Sequence, residues 1–537
     1  MAKALNDRDN VELIDLLDGP SGDAAIVSRA GKISYGELRE RALGVAALFA
    51  ENGVKAGDRI AVMLPNGIDW LSTMFAASRL GVAVVSINIR LGAKELGDML
   101  AATCPVAIVY DCETVDGLCV STLEKVDASH AASVKALFRA GHADRRYRLG
   151  ELPTADLSQS ATLSTAALSP AGGGDWPCFI IGTSGTTGRS KIVVHAQAGV
   201  VRHVRDVAEM LGLRQDTSSL AAMPFSGAYG FTLVMSALAG RQTIVVAEAF
   251  DPVESGRLMR DHGITHMGGT NDMIYAMLQA DDRRRPFPAL HHFIHANFTP
   301  SLTEMPPEAE RRGVCIRGGY GSSEMLALVA IQPADASLDA RSQAGGVMAS
   351  AGASFRIVDP DTREPVADGE IGEIEVHAPN GMLGYLDNPD ANSAAITDDR
   401  FFRTGDLGFR TADGRMQFET RRNDVLRIGG YLVAPAEIEE MILQIGGIAA
   451  CQVVAVQSGL KVRPVAFVIP DPGPPSEQDI IDFCRDRLAK YKVPVRVFSV
   501  EDFPAVNGPN GRKIKRSELR DLAQEWTEAG STNGLVA

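Results

Sequence analysis

This sequence has no long apolar run and no excess of basic residues, and we expect no secretory signal. No run approaches the roughly 18 apolar residues that a membrane-spanning helix requires, and the charged first ten residues lack the apolar region of a signal peptide. The 53 basic residues against 67 acidic ones give a net charge of −14, which disfavours binding to nucleic acid or to an anionic membrane. We therefore expect no membrane span and no nucleic-acid partner, and local groups must hold any polyanionic ligand.

The cysteines lack any recognisable pattern, and we find no internal repeat. They form no CxxC pair, their number is odd, and their spacing matches no metal-ligand motif. They are Cys104, Cys112, Cys119, Cys178, Cys315, Cys451 and Cys484. This distribution is typical of reduced thiols, so we expect a cytoplasmic protein.

What the sequence does contain is enough apolar material for large cores. With 537 residues, 45% of them hydrophobic and 22% charged, the chain has globular composition and is too long for one ordinary core. Apolar runs at 59–64, 81–89 and 106–110 alternate with helical spacing at 71–78 and 93–102. That alternation predicts a parallel or mostly parallel sheet with helices on its faces.

A polar, glycine-rich stretch follows a predicted strand in the middle of the chain. We expect a surface loop at 157–175, a strand at 176–181, and then "IGTSGTTGRSK" at 181–191. Glycine N–H groups can approach a phosphate closely, and the hydroxyls and the Lys191 ammonium add donors. Because Ser190 rather than glycine precedes Lys191, this is not a Walker A loop. The hypothesis is a phosphate loop at a strand end, where α/β folds bind ligands.

After about residue 353 the sequence pattern predicts short strands. The segments "SFRIVD", "GEIEVHA" and "RMQFET" are separated by turn residues. After Asp424, the strands "QVVAVQ" and "VRPVAFVIP" mix with amphipathic helices near 435–445 and 477–490. We predict an N-terminal domain at 1–424 and a small α+β domain at 425–537.

Four further segments carry chemically informative residues. "GGYGSSE" (318–324) ends in a carboxylate, and "FFRTGDLG" (401–408) predicts a tight turn at Asp406. "TRRNDVLRIGGYLVAPAEIE" (420–439) spans the predicted boundary, and "NGPNGRKIKR" (507–516) is turn-rich rather than helical. In this order and spacing, together with the loop at 181–191, they resemble the adenylate-forming superfamily of acyl-CoA synthetases, firefly luciferases and peptide-synthetase adenylation domains. The resemblance covers about residues 30 to 520.

The resemblance implies an α/β fold and a two-step reaction. The large N-terminal domain would have layered mixed sheets with flanking helices and a short-strand β region, followed by a small mobile α+β C-terminal domain. With ATP and Mg²⁺, a carboxylate would attack the α-phosphate to give acyl-AMP and pyrophosphate, and an acceptor, most commonly coenzyme A, would displace AMP. Asp424 matches the hinge about which the small domain turns between the two steps.

The resemblance also implies a nucleotide site. The loop at 181–191 would hold the β- and γ-phosphates, although Ser190 replaces the family's usual proline, which affects loop stiffness more than ligand contacts. Tyr320 would stack on adenine, and Asp406 would accept hydrogen bonds from both ribose hydroxyls. Arg421 matches the arginine beside the ribose and phosphate, with Arg422 as the alternative. The full expected set is Thr183, Ser184, Gly185, Thr186, Thr187, Gly188, Lys191, Gly319, Tyr320, Gly321, Ser322, Ser323, Asp406 and Arg421.

Two residues match the family's catalytic groups. Glu324 matches the carboxylate that coordinates Mg²⁺, a hard cation suited to oxygen ligands. Lys513 matches the C-terminal lysine whose ammonium stabilises charge at the α-phosphate. Arg512 stands where the family commonly has glycine, so Lys515 is the alternative, and a solvated basic tail is the third interpretation. We favour Lys513 because Ile514 and Arg516 fit the usual pattern after the lysine.

The acyl pocket is expected within 223–231, 266–272 and the start of the 318–324 segment, and "HANF" (295–298) falls where the family lines the acyl and adenine pockets. Gly227 occupies a slot where the family often has histidine or an aromatic, which suggests room for a bulky or branched acyl group, with Tyr229 supplying aromatic surface. No aspartate stands where amino-acid-activating domains bind the α-amine, so a simple carboxylic acid is favoured. The expected pocket residues are Phe225, Gly227, Tyr229, Gly268, Gly269 and Gly318.

The acceptor is less closely defined by the motifs. Gly430 matches the glycine that lines the family's pantetheine tunnel, which favours coenzyme A. A carrier-protein thiol and a small-molecule amine, as in coronafacic acid ligases, stay open as acceptors. A luciferase-like oxygenase and an inactive adenylate-binding protein also stay open as functions. We favour catalysis because Lys191, Glu324, Asp406 and Lys513 are all present. The sequence leaves the acid and the oligomeric state open.

Overall fold

The computed structural model describes most of the chain. It covers residues 12–19, 25–29, 31–114, 117–141, 146–163, 174–183, 191–297, 302–421, 426–428, 431–433, 435–458, 461–488, 492–508 and 511–528. The chain divides into two compact units, of which the first is Met1–Ala296, Pro306–Phe355 and Glu375–Arg403, and the second is Asn297–Met305, Arg356–Ile374 and Thr404–Ala537. Within the described part, no helix combines the length and the apolar character that crossing a membrane requires.

The strands of the described residues are numbered in chain order. They are β1 (Ala25–Ser28), β2 (Gly31–Ser34), β3 (Arg59–Met63), β4 (Ala83–Ser86), β5 (Ala107–Asp111), β6 (Ala136–Ala140), β7 (Thr154–Asp156), β8 (Pro177–Gly182), β9 (Ile192–Ala196), β10 (Ser218–Ala221), β11 (Thr243–Val246), β12 (His266–Thr270), β13 (His292–Ala296), β14 (Ile316–Tyr320), β15 (Ala330–Ile331), β16 (Gly345–Met348), β17 (Ser354–Val358), β18 (Gly372–His377), β19 (Gly384–Tyr385), β20 (Phe402–Arg410), β21 (Met416–Arg421), β22 (Leu426–Ile428), β23 (Tyr431–Val433), β24 (Ile448–Ser458), β25 (Lys461–Pro470), β26 (Arg496–Ser499), β27 (Ala505–Gly508) and β28 (Gly511–Ile514).

The α-helices are numbered in the same way. They are α1 (Tyr35–Glu51), α2 (Ile68–Arg79), α3 (Ala93–Thr103), α4 (Leu118–Leu123), α5 (Gln197–Leu211), α6 (Ala228–Ala239), α7 (Pro252–Asp261), α8 (Asn271–Gln279), α9 (Met305–Arg311), α10 (Leu338–Ser342), α11 (Pro389–Ala395), α12 (Pro435–Leu443), α13 (Glu477–Arg487) and α14 (Arg516–Glu528). Short 3₁₀ helices lie at Leu13–Leu17, Ala128–Ala131, Leu157–Thr162 and Ser323–Met325.

Local sequence explains where α1 begins. At α1, the Ser34 hydroxyl accepts the Glu37 N–H at 3.2 Å, and the Glu37 carboxylate accepts the Ser34 N–H at 2.7 Å, which is a capping box.

The 3₁₀ helix Leu157–Thr162 falls in the predicted loop at 157–175, so that prediction was wrong for these residues. Leu157 is buried and the Gln159 side chain accepts the Asp156 N–H at 3.2 Å, which stabilises this turn without helical periodicity.

The first unit contains an eight-stranded sheet in the order β19-β9-β8-β4-β3-β5-β6-β7. The pairings from β8 to β7 are parallel, whereas β8 with β9 and β9 with β19 are antiparallel. The apolar runs at 59–64, 81–89 and 106–110 form β3, β4 and β5, which confirms the predicted mostly parallel sheet. The antiparallel pair at β8 and β9 carries the glycine-rich loop.

A second sheet of the first unit runs in the order β16-β15-β14-β13-β12-β10-β11-β1-β2. The pairings from β14 to β1 are parallel, and antiparallel strands lie at both ends of this order. Because parallel strands end at the same edge of a sheet, the carboxyl ends of β12, β13 and β14 lie together. The segment 321–324 leaves this edge.

The short-strand region has the order β17-β18-β20-β21. Asp406 lies inside β20, opposite Arg421 on the antiparallel β21, so the predicted tight turn at Asp406 was wrong. Gly405 takes a φ of +69°, and the register shifts between Leu407 and Gly408. These two irregularities let the strand continue through a sequence that resembles a turn.

The C-terminal part of the second unit contains a small sheet with helices on both faces. The three strands have the order β24-β25-β26. Ile438 and Ile442 of α12 and Ile480 of α13 pack on one face, whereas Leu519 and Ala523 of α14 pack on the other. The pairing of β27 with β28 confirms that 507–508 and 511–514 are not helical, whereas Arg516 begins α14, so the prediction of a non-helical stretch at 507–516 was wrong for that residue. The predicted boundary at Asp424 lies outside the described residues and stays a prediction.

Candidate functional site

The glycine-rich loop is closed at its base by paired strands. Gly182 at the end of β8 pairs with Ile192 at the start of β9, and the N–H and the hydroxyl of Thr183 both donate to the Lys191 carbonyl, at 2.8 and 3.1 Å. The strands before and after the glycine-rich stretch are therefore antiparallel neighbours, and a strand rather than a helix follows it. The other predicted phosphate-loop residues lie outside the described part of the chain: Ser184, Gly185, Thr186, Thr187 and Gly188.

Lys191, Tyr385 and Glu324 form a chain of contacts beside the base of this loop. Lys191 Nζ lies 4.8 Å from the centre of the Tyr385 ring, and the Tyr385 hydroxyl donates to Glu324 Oε1 at 2.9 Å. Tyr385 lies opposite Val193 in the pairing of β19 with β9, which places its ring next to the lysine. Burial, and then the Glu324 carboxylate, raise the pKa of Tyr385, so its hydroxyl stays protonated. One aromatic side chain thus contacts both a cation and an anion.

Two glycines near Glu324 lie so close to other backbone atoms that a side chain would not fit at either position. A Cβ at Gly318 would lie 1.9 Å from the Gln343 carbonyl oxygen, and one at Gly321 would lie 2.6 Å from the carbonyl carbon of Ala327. Backbone atoms cannot move aside as a flexible side chain can. Glycine at these positions is therefore explained by packing, and the predicted pocket role of Gly318 stays a prediction.

The segment after β14 also contains an unpartnered hydroxyl. Ser322 Oγ is buried and, among the described residues, has no hydrogen-bond partner, while Tyr320 at the end of β14 is 6% exposed. A buried polar atom without a partner costs stability, and a phosphate oxygen would satisfy it. Ser323 and Glu324 are half-buried. The segment therefore fits a nucleotide phosphate beside a carboxylate.

Glu324 is the carboxylate available for a magnesium ion in this segment. The described residues contain no group of three or more His, Cys, Asp or Glu side chains arranged to hold a metal. Mg²⁺ bound with a nucleotide typically takes one or two carboxylates and fills its remaining positions with phosphate oxygens and water. A single carboxylate beside an unpartnered hydroxyl fits that mode of binding.

In the second unit, Asp406 and Arg421 face each other across β20 and β21. Arg421 Nε lies 3.3 Å from Asp406 Oδ1, and the Asp406 N–H donates to the Thr404 hydroxyl at 3.0 Å. The Asp406 side chain is 5% exposed, whereas that of Arg421 is 54% exposed. The two oxygens of a carboxylate can accept hydrogen bonds from a pair of hydroxyls, as the ribose prediction requires. Arg422 lies outside the described residues.

The predicted acyl-pocket residues lie in well-packed surroundings. Phe225 packs edge-on against Trp70, with ring centres 5.5 Å apart, and Gly227 is the N-cap of α6. The Tyr229 hydroxyl donates to the Ile294 carbonyl at 2.7 Å and lies 3.3 Å from that of Gly269. Burial raises the pKa of Tyr229. Tyr229 thereby links β12 to β13, and its role as acyl surface stays a prediction.

A small cavity lies beside Gly268 on β12. Its volume is about 20 Å³, and its lining includes Leu233, Gly268, Met267 and Ile294. A Cβ at Gly268 would lie 2.5 Å from Leu233 Cδ1, so the leucine occupies the room that the glycine leaves. The side chain of Leu233 therefore limits the space next to Gly268.

The two candidate lysines at the end of the chain have different surroundings. Lys515 Nζ donates to Glu518 Oε1 at 2.6 Å, and both side chains are exposed. Lys513 lies on β28 with its backbone opposite Val506, and its side chain is outside the described part. Asp424 and Gly430 also lie outside it. The assignments of Lys513, Asp424 and Gly430 stay predictions.

Sequence reasoning missed Tyr385 and His195, which both contact the Glu324 segment. His195 Nε2 lies 2.8 Å from the Ser323 carbonyl oxygen. His195 is a polar residue at the end of the apolar run "KIVVHA", and Tyr385 follows a glycine in "MLGYLDNP". The isolated polar residue in a buried strand was the available signal, since such a side chain requires a partner.

Comparisons with known proteins identify the family of this chain. A family model described as AMP-binding enzyme matches residues 17–386, and one described as AMP-binding enzyme C-terminal domain matches residues 437–507. The long-chain-fatty-acid–CoA ligase of Salmonella typhimurium is 28% identical over 523 residues, covering 93% of this chain and 92% of that protein.

Solved structures match along nearly the full length. ATP-bound MatB from Rhodopseudomonas palustris has a TM-score of 0.82 and 26% identity, covering 96% of this chain and 99% of that one. The amide bond synthetase McbA from Marinactinospora thermotolerans has a TM-score of 0.81 and 21% identity, covering 95% and 99%. At that identity, McbA shows a shared fold.

Proposed function

Because this chain belongs to the family of AMP-binding enzymes, we propose that it uses ATP to join a carboxylic acid to coenzyme A through an acyl-AMP intermediate. The observation that carries the proposal is the contact chain from Lys191 through Tyr385 to Glu324 beside a hydroxyl-rich loop. This contact chain supports the proposal because it brings an ammonium and a carboxylate close together. The ammonium could neutralise phosphate charge directly, and the carboxylate could hold a divalent cation that does the same.

The proposed chemistry has two displacements. In the first, a carboxylate oxygen of the acid attacks the α-phosphorus of ATP, the bond to the β-phosphate oxygen breaks, and pyrophosphate leaves. In the second, the thiolate of coenzyme A attacks the acyl carbon and AMP leaves with the former carboxylate oxygen. The thiol proton passes to solvent or to a base.

The residues of this chain would bind and orient the reactants. Lys191 and the loop would hold the β- and γ-phosphates, and Tyr320 would stack on adenine. Asp406 would accept hydrogen bonds from the ribose, and Lys513 would stabilise charge at the α-phosphate. Glu324 would hold Mg²⁺, which when bound neutralises phosphate charge.

Coenzyme A is the proposed acceptor. The Salmonella relative, which the chain matches nearly end to end, is named a CoA ligase. An amine acceptor is the alternative, because a chain named an amide bond synthetase has the same fold. The seven cysteines are free thiols, which supports the expected cytoplasmic location.

The test is product analysis with a broad carboxylic acid panel. AMP formation is measured with coenzyme A, with mixed amino acids, and with neither, and products are identified by mass. Acyl-CoA formed only with the thiol supports the proposal. An amide with no thioester would overturn the acceptor but not the activation step, and no acid-dependent AMP under any condition would overturn both.

A matched pair of variants identifies the catalytic lysine. Lys513→Met should abolish acid-dependent AMP formation, whereas Lys515→Met should lose only an exposed ion pair with Glu518. The opposite result would move the role to Lys515.

The space at Gly227 is tested separately by the acid profile. Gly227→His, which restores a residue type common in the family, should select against bulky acids in the same panel. An unchanged profile would reject the idea that Gly227 admits them.

A further inference from the structure

The residues that follow Glu324 have a sterically disfavoured backbone. Leu326, Ala327 and Leu328 have φ values of 56°, 55° and 41°, in the left-handed region that residues with a Cβ rarely adopt. They are 0%, 9% and 3% exposed. Since their own sequence does not favour this conformation, the surrounding structure must impose it. We call residues 323–328 the strained turn.

Five successive carbonyl oxygens of the strained turn each accept a hydrogen bond from another part of the first unit. The donors and acceptors are His195 Nε2 to Ser323 O (2.8 Å), Met382 N to Glu324 O (2.9 Å), Asn380 Nδ2 to Met325 O (2.6 Å), Thr232 Oγ1 to Leu326 O, and His203 Nε2 to Ala327 O (3.0 Å). They come from β9, α5, α6 and the segment 380–382. The shape of the turn is thus determined by tertiary contacts at every carbonyl from 323 to 327.

The two histidines act as neutral donors. Burial lowers the pKa of His195 and of His203 to about 4, so both rings are neutral near pH 7. A carbonyl oxygen can only accept, so Nε2 carries the proton in each ring. His195 acts on the carbonyl directly before Glu324, at the start of the strained turn.

A purely structural role is the competing interpretation. His295 is equally buried, and its Nε2 lies 3.1 Å from the Arg341 carbonyl oxygen. The strained turn differs because Glu324 is held at two points: Met382 donates to its carbonyl and Tyr385 to its carboxylate. Fixing the backbone and the carboxylate of one residue sets the direction of the carboxylate.

We propose that His195 and Thr232 are positioning residues for Glu324, because they hold the strained turn in the shape that aims this carboxylate at the metal ion of MgATP. The inference rests on the proposed function, which supplies the role of Glu324. Residues that orient a metal ligand typically change metal affinity or activity about 10-fold to 100-fold when they are replaced. A residue that only stabilises the fold would leave the metal dependence unchanged.

The test compares four variants with the unmodified enzyme. His195→Phe removes the donor but keeps a ring, His195→Gln keeps a donor that can reach the same carbonyl, and Thr232→Val removes a hydroxyl from a side chain of the same shape. Tyr35→Phe is the control, because it loses a buried hydroxyl bond to the Gln242 carbonyl (2.9 Å) outside the strained turn. ATP binding is measured by calorimetry without acid, with Mg²⁺ and with EDTA, and AMP formation is measured against Mg²⁺ concentration.

The expected pattern separates positioning from stability. His195→Phe and Thr232→Val should reduce the gain in ATP affinity due to Mg²⁺ by about 10-fold or more and raise the Mg²⁺ concentration for half-maximal rate. His195→Gln should recover most of this loss. Tyr35→Phe should lower the melting temperature without changing either Mg²⁺ measurement.

The inference is overturned if His195→Phe and Thr232→Val melt earlier but keep the Mg²⁺ dependence of the unmodified enzyme. If His195→Phe does not fold, Thr232→Val decides between the same two results. If the unmodified enzyme itself gains no ATP affinity from Mg²⁺, the proposed role of Glu324 fails first. The two failures are therefore distinguishable.

Discussion

Replacing Tyr385 separates its two contacts at the candidate site. Tyr385→Phe removes the 2.9 Å hydrogen bond to Glu324 Oε1 but keeps the ring 4.8 Å from Lys191 Nζ. A hydrogen bond to a charged group contributes about 1.5–3 kcal/mol. If the whole contribution is realised in the transition state, kcat/KM for acid-dependent exchange of pyrophosphate into ATP should fall about 10-fold to 150-fold.

Tyr385→Leu should remove the ring contact as well. A cation–π contact contributes about 0.5–1 kcal/mol at exposed sites, so the leucine variant should lose a further factor of about 2 to 5. Tyr110→Phe is a matched control, because its buried hydroxyl accepts the Tyr147 N–H at 3.2 Å and does not contact this cluster. The assay is acid-dependent exchange of pyrophosphate into ATP, with melting temperatures measured in parallel. If Tyr385→Phe keeps kcat/KM within about twofold of the unmodified enzyme, the hydrogen bond does not support catalysis.

Three other predictions concern stability. Arg516→Met removes the guanidinium that bonds both oxygens of the 4%-exposed Glu439, at 2.8 and 3.1 Å, and should lower the free energy of unfolding of the second unit by about 3–5 kcal/mol. In urea titrations followed by tryptophan fluorescence, the double variant Glu439→Leu/Arg516→Met should recover most of this loss. If it recovers none, the loss does not come from burying the Glu439 charge without its arginine. Burial lowers the pKa of His195, His203 and His295 to about 4. Below the ordinary histidine pKa of about 6.5, the unfolded chain therefore binds more protons than the folded chain. The free energy of unfolding should therefore fall by about 3 kcal/mol per histidine as the pH falls from about 6.5 to about 4. In His295→Gln, unfolding should take up one proton fewer in this pH range, so the free energy of unfolding should depend less steeply on pH. Gly321→Ala, whose Cβ would meet the Ala327 backbone at 2.6 Å, should cost about 1–3 kcal/mol by thermal melting, whereas Gly446→Ala, with no atom within 4 Å, should be nearly neutral.

The apolar pattern of the sequence predicted the strands that are buried along their whole length. Buried parallel strands are apolar on both faces, so β3, β4 and β5 are visible as apolar runs. The motif residues Lys191, Glu324 and Asp406 could be predicted as site residues because the resemblance assigns them to short segments in a fixed order, and their roles stay predictions. Each of them lies in the described part of the chain with the polar neighbours reported above.

Features that depend on contacts between distant residues could not be predicted in this way. Tyr385 is 61 residues from Glu324, and His195 is 128 residues from Ser323. The strained turn contains no glycine at 326–328, so its left-handed backbone follows from donors elsewhere in the fold. The strand through Asp406 was missed for a related reason, since pairing with β21 overrides the local turn preference of "TGDLG".

The fate of a carboxylate oxygen tests acyl-adenylate formation most directly. An acid that is active in the panel is labelled with oxygen-18 in its carboxylate, and the products of one reaction with ATP and coenzyme A are analysed by mass. The two-step chemistry predicts one labelled oxygen in AMP, because the oxygen that attacks the α-phosphorus leaves with it. Label in pyrophosphate or in inorganic phosphate, or the appearance of ADP without labelled AMP, would contradict it.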